Sequence, residues 1–121
     1  MTVWTWIAVA AVGGLGAIAR FVVDREVARR VGGAFPYGTL VINLSGSFLL
    51  GLVTGLALST DAALIVGTAT IGSYTTFSTW MLETQRLVED AKLRGAAVNA
   101  LLSLALGLGA VALGRTIGAH L

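Results

Sequence analysis

A chain of 121 residues with 56% hydrophobic and only 12% charged side chains, at a mean hydropathy of +0.88, cannot build the surface of an ordinary water-soluble domain, which carries about 25% charged residues. The lack of cysteine excludes disulfides and thiolate metal centres. The net charge of +2 and pI near 9.7 come from loop arginines and do not indicate a nucleic-acid surface.

Crossing the hydrocarbon core takes about 20 mostly apolar residues. Four windows meet that length: 3–23, 38–58, 62–82 and 96–114. Lipid gives the backbone no hydrogen-bond partners, so each window is expected to be a helix; the strict alternation of a β-barrel is absent. The expected fold is an all-α membrane protein, a single four-helix transmembrane domain over residues 1–121.

The first window is interrupted only by Arg20. It lacks the basic start of a secretory signal and is followed by three more spans, so it is read as a retained helix. Arg20 either snorkels to the surface or serves an ion pathway.

In the second window Thr39, Asn43, Ser47, Gly51 and Gly55 recur every fourth residue and share a face. Small residues at this spacing let helices approach closely, as in Gly51-Leu-Val-Thr-Gly55. Asn43 is different, because a mid-span amide is costly in hydrocarbon and needs partners. It is either a structural interhelical hydrogen-bonder or part of a pathway.

The third window holds Gly67, Thr68, Thr70, Gly72, Ser73, Thr75, Thr76, Ser78 and Thr79, which leaves little of it greasy. Glycine and clustered hydroxyls weaken a helix. One reading is a break near residues 72–75, covered by protein, whose freed carbonyls could ligate a monovalent cation. The other is an unbroken helix whose hydroxyls bond back to the preceding turn. Phe77 and Trp80 follow, three residues apart. Aromatic rings have positive edges, so the pair could face an anion without charge, or simply pack; Trp80 could also sit in an interfacial belt.

The fourth window repeats small polar residues at Asn99, Ser103 and Gly107. No acidic residue lies inside any window, whereas proton-coupled transporters usually place a carboxylate or histidine there. Arg25, Arg29 and Arg30 fall in the first loop, Arg86, Lys92 and Arg94 in the third, and only Arg115 on the other side. The positive-inside rule then puts both basic loops in the cytoplasm and both termini outside.

Three motifs give a family resemblance. GGLGAIARF (13–21), PYGTLVINLSGSFLLG (36–51) and GSYTTFSTW (72–80) resemble, in order and spacing, the signatures of the Fluc (CrcB-type) family of small bacterial fluoride channels. The resemblance covers essentially the whole chain, and Thr-Thr-Phe-Ser-Thr is its most specific part. It implies an antiparallel dimer in the bacterial inner membrane, with two narrow pores and a central structural sodium ion. The sodium would be held by backbone carbonyls of Gly72 and Thr75 from each subunit. Asn43, Phe77, Trp80 and Ser103 would line the pore with the hydroxyls of Thr76, Ser78 and Thr79, and Arg20 would stand near its vestibule. Trp80 replaces the family's phenylalanine, and Phe21 a frequent tyrosine. The uneven loop charge implies one fixed orientation and pairing with a related subunit of opposite bias, although pairing with itself is the simpler alternative.

The function implied is passive export of cytoplasmic fluoride, giving fluoride resistance without catalysis. Neutral donors replace the ion's water without trapping it, and an interior-negative potential of 100 mV drives each anion out with about 2.3 kcal/mol. Two alternatives remain. A small multidrug exporter shares the four spans and antiparallel dimer, but should carry a first-helix glutamate, absent from residues 3–21. A non-transporting membrane scaffold would use its polar stripes for assembly alone.

Overall fold

The computed structural model describes residues 1–121 and is entirely helical. Helix α1 spans Val3–Val31. Thr2 caps it, its side chain accepting the Thr5 N–H at 3.2 Å. At 29 residues and 1.5 Å each it is about 44 Å long, well beyond the roughly 30 Å hydrocarbon core. The sequence places Arg25, Arg29 and Arg30 in a loop, but the structure has them on a helical extension. No glycine or proline stops the chain before Gly32, and Glu26 lies 2.7 Å from Arg29 and 3.5 Å from Arg30, one turn on. These exposed pairs each add only tenths of a kcal/mol. The stop comes at Gly32 (φ 67°), whose N–H bonds to Ala28 O at 3.1 Å, followed by Gly33 (φ 85°).

Helix α2, Tyr37–Leu56, starts after Pro36, whose carbonyl accepts the Leu40 N–H. Ser59 caps the next element through its hydroxyl and the Ala62 N–H. This element, α3, is composite. It runs from the turn Thr60–Ala63 through a π-helical stretch, Leu64–Ile71, to the turn Gly72–Tyr74. Within it the Thr70 hydroxyl bonds to Ile65 O, five residues back. Residues 75–77 are not helical, and Thr75 is extended (φ −79°, ψ 159°). Helix α4, Ser78–Glu89, resumes the path, and α5, Leu93–Ala119, closes the fold. Three uninterrupted helices, α1, α2 and α5, are long and apolar enough to cross a membrane. The remaining crossing, third in chain order, is the broken pair α3–α4, interrupted from Thr75 onward, just past the glycine named from sequence.

Glycines bring the helices together. A Cβ at Gly51 would fall on the Val111 carbonyl, and one at Gly55 on that of Arg115. From the other side, Gly114 meets the Phe48 carbonyl and Gly118 that of Leu52. The α2–α5 seam is therefore a reciprocal backbone contact, the close approach that small residues permit. Gly114 and Gly118 lie outside the fourth-window stripe read from sequence, although their i, i+4 spacing is the same signal. Gly16 packs α1 against the Thr70 carbonyl, and Gly46 seats α2 on the Thr75 side chain at the break. Only 16 of 121 residues are buried, while Leu15, Leu101 and Leu108 are more than half exposed. That inside-out distribution belongs in lipid, where apolar side chains need not hide.

Candidate functional site

The break leaves backbone groups that lipid cannot satisfy. Asn43, on α2, satisfies those of Thr76. Its Nδ2 donates to Thr76 O at 2.8 Å, and its Oδ1 accepts from Thr76 N at 2.9 Å. An amide has two donors and an acceptor, so one Asn43 N–H is left over. The structural reading of Asn43 therefore holds, and the residue also borders the cavity described below.

Thr76 has a second part. Its hydroxyl accepts the Thr79 N–H at 3.2 Å, which caps the start of α4, and donates to Thr79 Oγ1 at 3.1 Å. Ser78 Oγ lies 3.4 Å away. Thr79 and Ser78 thus belong to this capping cluster and not to the cavity wall. The carbonyls of Gly72 and Thr75 accept no hydrogen bond within the chain, because Thr76 N turns to Asn43 and Thr79 N to the Thr76 hydroxyl. They suit a hard monovalent cation, and one chain supplies two such oxygens. Other hydroxyls do bond back along their helix, among them Thr75 Oγ1 to Ile71 O.

The aromatic pair meets edge to face, with ring centroids 5.5 Å apart and planes at 87°, the arrangement that the ring quadrupole favours. Phe77 is 70% exposed on the protomer surface. Trp80 is anchored: its Nε1 donates to Asn99 O on α5 at 2.9 Å. Asn99, 1% exposed, returns the contact through Nδ2, which donates to Thr84 Oγ1 at 2.8 Å and more loosely to Trp80 O at 3.4 Å. The indole donor is therefore already used. Sequence reading places Asn99 only in a packing stripe, since no local periodicity links it to a residue on another helix.

These groups surround one cavity of about 530 Å³. Asn43, Gly72, Thr75, Thr76, Phe77, Trp80 and Ser103 line it, with leucines from α2 and α5, and no charged residue does. The Ser103 hydroxyl is buried and has no partner. Arg20 is half-buried on α1, forms no ion pair and does not border this cavity. The wall presents hydroxyls, an amide and two aromatic rings, and no fixed charge that would trap an anion.

A second cavity, about 230 Å³, lies between the end of α1 and the start of α2, with Asp24 and Glu83 in its wall. Glu83, just past the apolar window 62–82, accepts a hydrogen bond from the buried Thr39 hydroxyl. Sequence reading leaves this contact out, because Thr39 reads as packing and Glu83 as an edge charge.

Residues 7–115 match the family described as CrcB-like protein, Camphor Resistance (CrcB). Fluoride-specific ion channel FluC 2 of Mycobacterium tuberculosis (strain ATCC 25618 / H37Rv) is 56% identical over 117 residues, covering 97% of this chain and 93% of that protein. The protein of the same name from Mycolicibacterium paratuberculosis is 57% identical over 116 residues, 96% of this chain and 95% of its own. Fluoride-specific ion channel FluC 1 of Symbiobacterium thermophilum is 41% identical over 120 residues, at 94% and 97% coverage. With a match that leaves out only the two ends, and relatives aligned along nearly their full length, the chain belongs to the CrcB-like family of multi-pass membrane proteins.

Proposed function

We propose that this chain is a subunit of a fluoride-selective channel that lets cytoplasmic fluoride leave the cell passively. The observation that carries the reading is the uncharged cavity at the helix break, where the free Ser103 hydroxyl, the spare Asn43 N–H and two aromatic rings converge. Relatives named fluoride-specific ion channels supply the choice of ion. Fluoride is small and strongly hydrated, so a dry path must replace its water with donors, and a fixed cation would hold it too tightly.

The working unit is an antiparallel dimer, formed with a second copy or with a related subunit of opposite loop charge. Its centre holds a structural sodium ion. Two points support this: the Gly72 and Thr75 carbonyls are free of hydrogen bonds, and a second copy would double the donor set. Bound there, the cation would offset the cost of an anion at low dielectric. Both termini face outward in the bacterial cell membrane, with the arginine-rich α1 extension in the cytoplasm. Fluoride enters as neutral HF, ionises inside and is driven out by the membrane potential.

The test is fluoride-electrode recording of efflux from liposomes containing the purified protein, with sodium present or replaced by a large organic cation. Rapid, sodium-dependent fluoride release is expected. Retention of fluoride in both conditions would refute the channel reading, and equal release in both would refute the sodium site alone.

A further inference from the structure

Several hydroxyls on the helices of this protein bond back along their own helix. Ser45, Thr54, Thr84 and Thr116 each donate to the carbonyl four residues back, at 2.7–2.9 Å. A mid-span hydroxyl usually satisfies itself in this way. Ser103 does not, and its oxygen is buried without a partner. Its carbonyl four residues back is Asn99 O, which accepts the Trp80 indole N–H at 2.9 Å. A carbonyl has two lone pairs, and in the helical ladder one already serves the Ser103 backbone N–H. The indole takes the other; where a carbonyl here meets a third donor, as Trp80 O does from Asn99 Nδ2, that contact is loose, at 3.4 Å.

We infer that Trp80 is a positioning residue for Ser103: by occupying the Asn99 carbonyl, its indole N–H keeps the Ser103 hydroxyl free to donate to an anion in the cavity. Both side chains border that cavity. Asn99 holds the arrangement from the other end through Thr84, which itself bonds back to Trp80 O at 2.9 Å. The tryptophan thus contributes a donor indirectly. Its own N–H never meets the ion, but it prevents a neighbouring hydroxyl from satisfying itself. A phenylalanine at position 80 could line the same cavity but would leave the Asn99 carbonyl open to Ser103.

This inference rests on the anion pathway proposed above, and a double-mutant cycle separates the two. Fluoride efflux from liposomes is measured for the wild type, Ser103→Ala, Trp80→Phe and the double variant, each checked as a single species by size exclusion. Trp80→Met replaces Trp80→Phe if the latter does not fold. With Trp80 present, Ser103→Ala should slow efflux about tenfold, the scale of a lost hydrogen bond to a charged group. Without the indole, Ser103 bonds back, so the same substitution should change efflux less than about twofold. The comparison is a ratio within each background, so any change of pore width at position 80 cancels. A conducting wild type with equal Ser103→Ala losses in both backgrounds overturns the inference and leaves the channel standing. A wild type with no fluoride flux overturns both.

Discussion

Asn43 and the backbone of Thr76 exchange two hydrogen bonds, of 2.8 and 2.9 Å, across the point where the third crossing stops being helical. A side-chain amide here stands in for a turn of backbone. Asn43→Ala would strand an N–H and a carbonyl at membrane depth, each costing about 1–3 kcal/mol. Asn43→Asp would oppose a carboxylate oxygen to the Thr76 carbonyl and put a negative charge on the cavity wall. Both variants should unfold at lower SDS fraction than wild type, and Asn43→Asp should abolish fluoride flux. Normal efflux from liposomes carrying Asn43→Asp would exclude Asn43 from the pathway.

The α2–α5 seam gives a prediction whose sign is opposite to that at a glycine outside it. Alanine at Gly51 drives a methyl into the Val111 carbonyl and forces the helices apart. A loss on the scale of an overpacked core, about 1–3 kcal/mol, is expected. Gly14, also helical, has open space where a methyl would sit, with no neighbouring atom within 4 Å. Gly14→Ala should therefore gain up to about 1 kcal/mol from helix propensity. Thermal unfolding in detergent checks both; equal effects would mean the seam is not a tight contact.

Loop charge predicts topology. Arg25, Arg29, Arg30, Arg86, Lys92 and Arg94 all fall on one side, against Arg115 on the other. A reporter fused to the C-terminus should be active only outside the cytoplasm. Equal signal on both sides would mean that the chain inserts in both orientations.

Much of this fold is legible in the sequence because lipid constrains it so strongly. Window length and apolar content locate α1, α2 and α5, and the glycine-hydroxyl run locates the interrupted crossing. What stays hidden has physical causes. The π-helical turns of 64–71, within which Thr70 reaches Ile65 O, follow a register that composition does not encode. The α1 extension looks like a loop because charge marks the membrane edge, although it does not end a helix. The Trp80–Asn99 contact joins residues on different helices, so no spacing rule can find it. Asn43 could be singled out as costly, but only the three-dimensional fold identifies Thr76 as the group it satisfies.

The most direct test of the central claim is the reversal potential of currents through the reconstituted protein in a planar bilayer, with fluoride on one side and chloride on the other in symmetrical sodium. A fluoride-selective channel gives a reversal far from zero, with the sign set by the fluoride gradient. A reversal near zero, or one that follows chloride or protons, would contradict that claim.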